Sequence, residues 1–174
     1  MTSTFASFTS RGLRALAVLL LSALALAGCE DNPVGRICDL GLTPGVNEQV
    51  VASPSLDCVT RTCLRVTVDE DKTLPDGNEP KAPAGDLGLC TAECSSDDDC
   101  DRVPESPCKT GFTCGIPVTV GPFCCKKFCI CKDYKIIPAD TNRLPDPKAC
   151  EEADRNNSCC NLKDRPGNYP NCPA

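Results

Sequence analysis

The clearest alternation of apolar and polar positions in the first half of the chain covers residues 62–68. Leu64, Val66 and Val68 are separated by single polar residues there, the period of two that is typical of a half-buried strand. Gln49 to Ala52 is a shorter segment of the same kind. The pattern therefore predicts two short strands before residue 69.

Two longer strand-like segments, Phe112 to Val120 and Phe123 to Lys132, flank the Gly121-Pro122 pair. The pair is a turn signal, so the arrangement predicts an antiparallel hairpin. Pro117 places the first of these strands at a sheet edge, because proline has no backbone N–H to donate. In that strand, the residues expected on one face are Cys114, Ile116, Val118 and Val120.

A short helix is predicted near the C-terminus. Asp146 is suited to cap a helix and Pro147 to occupy its first position, with the helix running to about Arg155 and stopping at Asn156-Asn157. The expected fold is therefore small, disulfide-rich and loop-dominated, with short antiparallel β-hairpins and one short helix.

The N-terminal segment has the pattern of an export signal. Residues 1–28 contain no acidic residue, Arg11 and Arg14 supply positive charge, and a 13-residue apolar stretch follows from Ala15 to Ala27. That stretch is shorter than the roughly 20 residues needed to span a bilayer. An ordinary secretory signal is one interpretation that fits.

The end of this stretch, Leu26-Ala27-Gly28-Cys29, resembles the lipobox of bacterial lipoproteins. The resemblance implies that residues 1–28 are removed and that Cys29 carries a diacylglycerol and an acylated amino terminus. The following residues are Glu30 and Asp31 rather than an Asp directly after the cysteine. We therefore expect anchoring in the outer membrane, with the protein facing the periplasm or the cell surface.

Composition indicates how the chain after residue 28 is stabilised. All 17 cysteines and 16 prolines lie in these 146 residues, whereas Leu, Ile, Val and Phe together make up about 18% of them. Such a chain buries little apolar surface and depends on cross-links. The absence of histidine excludes Ser-His-Asp and Cys-His catalysis and histidine-ligated metals.

Removing Cys29 leaves 16 cysteines, which suggests eight disulfides in an oxidising compartment. Three of them precede the Pro-, Gly- and charge-rich segment 69–88 and thirteen follow it, so full pairing requires a bridge across that segment. A metal-buffering cluster of thiolates is the alternative. The sixteen candidates are Cys38, Cys58, Cys63, Cys90, Cys94, Cys100, Cys108, Cys114, Cys124, Cys125, Cys129, Cys131, Cys150, Cys159, Cys160 and Cys172.

The sequence divides into five segments on these criteria. They are the signal peptide 1–28, a lipidated tether 29–36, an N-terminal cysteine-containing segment 37–68, the linker or exposed loop 69–88, and a cysteine-rich, disulfide-linked domain 89–174.

An acidic cluster lies between two cysteines, at Asp97, Asp98, Asp99 and Asp101. Carboxylate oxygens are the ligands that calcium prefers, although the spacing is not that of an EF-hand loop. The competing interpretation is a solvated acidic turn held between two disulfides.

The spacings Cys94-x5-Cys100 and Cys124-Cys125-x3-Cys129 are similar to those of whey acidic protein-type modules. This resemblance covers about 42 residues, and Cys108 and Cys114 interrupt it. It implies a small disulfide module and, as one candidate function, protease inhibition.

A basic cluster of Lys126, Lys127 and Lys132 accompanies Phe123 and Phe128, but the chain after residue 28 has a net charge of 16 − 24 = −8. That charge excludes a nucleic-acid partner. We therefore expect a non-enzymatic binding or structural module of the envelope, without a cofactor, that binds the membrane through its lipid and a protein or envelope component. A carboxylate-dependent hydrolase is the enzymatic alternative.

Overall fold

The computed structural model describes residues 33–150 and Cys159. Within them the chain forms short strands and 3₁₀ helices joined by long loops. The strands are β1 (Pro33–Val34), β2 (Ile37–Asp39), β3 (Val50–Ala52), β4 (Thr62–Arg65), β5 (Leu87–Thr91), β6 (Asp101–Arg102), β7 (Phe112–Gly115) and β8 (Phe128–Cys131). The 3₁₀ helices are Asp97–Asp99, Lys132–Tyr134 and Lys148–Cys150.

The predicted fold class is confirmed: the protein is small, disulfide-rich and dominated by strands and loops. The predicted helix after Pro147 is a single 3₁₀ turn, closed by a hydrogen bond from the Cys150 N–H to the Pro147 carbonyl at 2.7 Å. Residues 151–155, to which the helix was expected to extend, lie outside the described part of the chain.

The largest sheet has four antiparallel strands in the order β2-β5-β4-β3. Both strands predicted before residue 69 belong to it. The β4 ladder ends at Arg65 rather than Val68, yet Leu64 and Val66 are buried and Val68 packs against the core. The alternation therefore continues beyond the last paired residue, in an extended segment of the following loop.

Strands β7 and β8 pair antiparallel as predicted, with Phe112 opposite Cys131 and Gly115 opposite Phe128. That register is centred on Gly121-Pro122, but the ladder stops at Gly115. Residues 116–127 form a loop instead, and Val120 is 70% exposed. The common face predicted through Val120 is therefore wrong.

Two features explain why the β7–β8 ladder is short. Pro117 has no backbone N–H with which to extend the ladder. The loop 116–127 is also held to other parts of the chain, because Cys124 and Cys125 form disulfides with Cys159 and Cys150.

A parallel pairing of β1 with β6 was not predicted. Val34 is completely buried, and its carbonyl accepts a hydrogen bond from the Val103 N–H at 3.0 Å. The packed fold thus includes Pro33 and Val34, which the sequence had assigned to the tether 29–36.

Residues 69–86 form a loop that leaves the sheet after β4 and returns to it as β5. The Asp69 N–H donates to the Tyr134 carbonyl at 2.9 Å, Pro80 is buried and Ala82 packs against the core. Because β4 pairs directly with β5, the chain before this loop and the chain after it share one sheet.

The core combines a few large apolar side chains with disulfides. Phe128, Ile130 and Val34 are among the largest fully buried side chains, and two further buried clusters consist mainly of cysteines. No helix in the described residues is long and apolar enough to cross a membrane.

Candidate functional site

Seven disulfides connect all fourteen of the described candidate cysteines. Their Cα–Cα separations of 5.3–6.0 Å suit disulfide bonds. Cys29, Cys160 and Cys172 lie outside the described residues. The bridges are Cys38–Cys63, Cys58–Cys90, Cys94–Cys114, Cys100–Cys129, Cys108–Cys131, Cys124–Cys159 and Cys125–Cys150.

The middle of the chain is held by three interlaced bridges, Cys94–Cys114, Cys100–Cys129 and Cys108–Cys131. Cys108 and Cys114, the two cysteines that interrupt the whey acidic protein-type spacing, thus belong to the same network as Cys94, Cys100 and Cys129, whereas Cys124 and Cys125 form bridges outside it. Cys108 and Cys114 therefore lie in the centre of the disulfide-linked region and not in a peripheral insertion.

The acidic cluster does not gather its carboxylates around one point. Asp97 accepts hydrogen bonds from the Cys114 N–H at 2.8 Å and the Thr113 hydroxyl at 3.0 Å. Asp99 accepts from two successive N–H groups at 2.7 and 3.0 Å, while Asp98 and Asp101 are exposed. Two of the four predicted calcium ligands are therefore occupied as structural acceptors.

The ionisation of Asp97 reflects these contacts. Partial burial opposes its charge, but the Cys114 N–H, the Lys132 ammonium and the Thr113 hydroxyl together hold its pKa below the ordinary value. The pKa of Asp99 is also lowered, by the N–H groups of Ser95 and Ser96. Both carboxylates are thus stabilised in the charged form by the fold itself.

Groups of three potential metal ligands do occur in the described residues, but each contains at least two disulfide-bonded cysteines. The only such group with a carboxylate combines Cys108 and Cys131 with Asp133. Because these sulfurs are bonded to one another, they are not thiolates that could hold zinc or copper.

The predicted basic cluster is neutralised by carboxylates. Each of its three lysines forms an ion pair, and the partners come from three different parts of the chain. The pairs are Lys126–Glu93 at 2.6 Å, Lys127–Asp146 at 3.2 Å and Lys132–Asp97 at 2.9 Å.

An open groove of about 700 Å³ lies among the described residues, and the sequence did not indicate it. One wall is formed by the loop from Leu74 to Lys81, the other by Pro107 and Lys109, and Asp133 and Tyr134 also line it. We refer to it as the Tyr134 groove. Its volume lies within the range typical of ligand-binding pockets.

Asp133 shapes one side of the Tyr134 groove. It is 2% exposed, and its carboxylate accepts hydrogen bonds from the N–H groups of Lys109 at 2.6 Å and Thr110 at 3.0 Å and from the Thr110 hydroxyl. A buried carboxylate with three donors holds a turn in place. Nothing in the sequence pattern distinguished Asp133 from the other acidic residues.

Tyr134 is 3% exposed, and its hydroxyl has no hydrogen-bond partner among the described residues. Loss of solvation, with a smaller contribution from the Asp133 charge, raises the pKa of Tyr134 to about 12. The phenol therefore remains protonated at neutral pH.

The rim of the Tyr134 groove carries charges of both signs. Glu79, Lys81 and Lys109 are exposed there, and no ion pair between these three residues is present. The groove therefore combines an apolar interior with both cationic and anionic groups, which suits a polar organic ligand or a peptide segment.

Comparisons with known proteins gave no match: no protein-family model, no curated protein and no solved structure matches this chain. The function must therefore be inferred from the residues and their arrangement.

Proposed function

We propose that this protein is a lipid-anchored, extracytoplasmic module of the bacterial envelope that binds a protein or an envelope component and is not an enzyme. The observation that carries the proposal is the complete pairing of the fourteen described cysteines into seven disulfides. Such dense cross-linking persists in oxidising compartments outside the cytoplasm. The lipobox-like Leu26-Ala27-Gly28-Cys29 sequence supports attachment to a membrane, with the outer membrane preferred.

The roles of the charged side chains favour binding over catalysis. Asp97, Asp99 and Asp133 hold backbone N–H groups, so their carboxylates support the fold. A carboxylate-dependent hydrolase needs two acidic side chains free to act on one substrate. The Tyr134 groove contains Glu79 and Asp133, but Asp133 already accepts three hydrogen bonds. The groove is therefore best suited to binding.

Intact mass spectrometry of the mature protein, before and after reduction, tests both parts of the proposal. With Cys29 lipidated, 17 − 1 = 16 cysteines remain, and reduction is expected to add sixteen hydrogens. Acyl mass on Cys29 is expected in the same spectrum. Recovery of the protein from the cytosol with reduced thiols, or an unmodified Cys29, would contradict the proposal.

A further inference from the structure

The chain joins the folded body beside the C-terminal end of β5. The Gly35 N–H donates to the Cys90 carbonyl at 2.8 Å, and the Cys90 N–H donates to the Arg36 carbonyl at 2.7 Å. These two hydrogen bonds fix the segment that follows Pro33 against the last residues of β5. The position of the first described residues is thereby tied to Cys90.

The loop between β3 and β4, residues 53–61, is fastened to the same end of β5. Cys58 forms its disulfide with Cys90, and the Thr60 hydroxyl donates to the Thr91 carbonyl at 2.5 Å. Within the loop, the Arg61 N–H donates to the Cys58 carbonyl at 3.0 Å. The loop therefore has a defined shape and a fixed place close to where the chain joins the body.

This part of the surface carries exposed apolar side chains. Leu56 is 82% exposed and Val59 is 75% exposed, and both lie on this loop. Single exposed apolar residues are common, but two of them three positions apart on a loop of fixed shape form a surface suited to an apolar partner. We call these residues the loop 53–61 patch.

We propose that the loop 53–61 patch lies in the interfacial region of the bilayer that holds Cys29; this inference rests on the lipid anchor of the proposed function. Four peptide steps separate Cys29 from Pro33, and a fully extended chain of that length spans at most about 14 Å. The lipid therefore keeps the side of the body at which the chain joins it close to the headgroups. Because the segment between Cys29 and Pro33 is short, the partner closest to the patch is the lipid surface itself.

The charges around the patch are compatible with that location. Arg36 and Arg61 are exposed there, and basic side chains are attracted to anionic headgroups. The Arg36 guanidinium also pairs with Glu105 at 2.9 Å, and the Asp57 carboxylate accepts a hydrogen bond from the Asp39 N–H at 2.9 Å. The carboxylates of Glu105 and Asp57 thus have partners within the protein.

Single-tryptophan fluorescence tests the location, because the chain contains no tryptophan. Leu56→Trp places the probe in the patch. Val46→Trp is the matched control, since Val46 is 88% exposed and lies in the loop before β3, whereas the patch loop follows β3. Each full-length lipidated variant is incorporated into phosphatidylethanolamine–phosphatidylglycerol vesicles with brominated acyl chains, and the acyl mass on Cys29 is measured in the same preparation.

We expect a blue shift and bromine quenching for Leu56→Trp and neither for Val46→Trp. Absence of both effects in Leu56→Trp, or equal effects in the two variants, would overturn the inference while leaving the anchor intact if Cys29 carries its lipid. A Cys29 without acyl mass would overturn the anchor and this inference together.

Discussion

Cys58 and Cys90 are joined by a disulfide with their Cα atoms 5.3 Å apart, although 32 positions separate them in the chain. The bridge closes a loop that contains β4 and the whole segment 69–86. Cys90 also lies opposite Cys63 in the β4–β5 ladder, so the disulfide and the sheet fix the same two parts of the chain. The segment between them is thus an internal loop of one fold.

Replacing both partners of this bridge, Cys58→Ser with Cys90→Ser, should lower the free energy of unfolding by about 3–4 kcal/mol, because the unfolded chain regains the freedom of a loop of this length. Urea unfolding followed by circular dichroism measures the change. The unsubstituted protein, oxidised in parallel, is the control. A loss below about 1 kcal/mol would show that the bridge does not restrict the unfolded chain as expected.

Gly88 is required where β5 passes β4. A Cβ at this position would lie 2.6 Å from the Leu64 carbonyl oxygen and 3.0 Å from the Cys63 sulfur, and both neighbours are held by the sheet and a disulfide. Gly88→Ala should therefore destabilise the protein by about 1–3 kcal/mol through overpacking. Chemical denaturation gives the value.

Gly45→Ala is the matched control for Gly88→Ala. A Cβ on Gly45 meets only the Glu48 side chain, at 3.4 Å, so this change should be neutral or stabilising by up to about 1 kcal/mol. Equal destabilisation by the two substitutions would contradict the role assigned to Gly88.

Local pattern was enough to predict the fold class and four of the eight described strands, β3, β4, β7 and β8. The alternation at Leu64 and Val66 located β4 because one face of that strand is buried. The turn signal at Gly121-Pro122 located the centre of the β7–β8 register. In both cases the determining information lies within a few neighbouring residues.

Cysteine parity also had predictive value beyond local pattern. An odd number of cysteines on each side of segment 69–88 required a bridge across it, and Cys58–Cys90 is such a bridge. Parity left the partner of each cysteine open, because pairing depends on long-range geometry.

The Tyr134 groove could not be predicted because its parts are distant in sequence. Leu74, Pro107 and Tyr134 come together only through the folding of two loops and the 3₁₀ helix Lys132–Tyr134, and none of these has a periodic pattern. The parallel β1–β6 pair was missed for a similar reason, since two-residue strands are too short to show alternation.

Asp97 should contribute to stability at neutral pH. Its carboxylate joins the 3₁₀ helix Asp97–Asp99 to β7 through Thr113 and Cys114 and pairs with Lys132. We expect Asp97→Asn to lower the free energy of unfolding by about 1–3 kcal/mol at pH 7. Urea unfolding at a series of pH values measures the change.

The pH dependence of Asp97→Asn has a definite sign. Because the folded protein lowers the pKa of Asp97, the stability it contributes is present above the unfolded value of about 4 and is lost as the pH falls through the folded value. The difference between the wild type and Asp97→Asn should therefore shrink in acid. A difference that stays constant down to the lowest pH would contradict this assignment.

Asp98→Asn is the control for Asp97→Asn and for the calcium hypothesis. Asp98 is exposed, so its substitution should change stability by less than about 0.5 kcal/mol. Because Asp97 and Asp99 are occupied by protein donors, added calcium should not raise the melting temperature of the wild type. A clear increase in melting temperature that Asp98→Asn abolishes would establish calcium binding by this cluster.

Tyr134→Phe should stabilise the protein, since it removes a buried hydroxyl that has no partner among the described residues. We expect a gain of about 1 kcal/mol at neutral pH.

The pKa of Tyr134 is raised to about 12 in the folded protein, whereas an unfolded tyrosine titrates near 10. The unfolded wild type therefore loses its proton first, and wild-type stability should fall as the pH rises from about 10 to about 12. The variant should lack that decrease, which unfolding measured across this range would reveal. A loss of stability at neutral pH on removing the hydroxyl would instead show that Tyr134 donates a hydrogen bond in the folded protein.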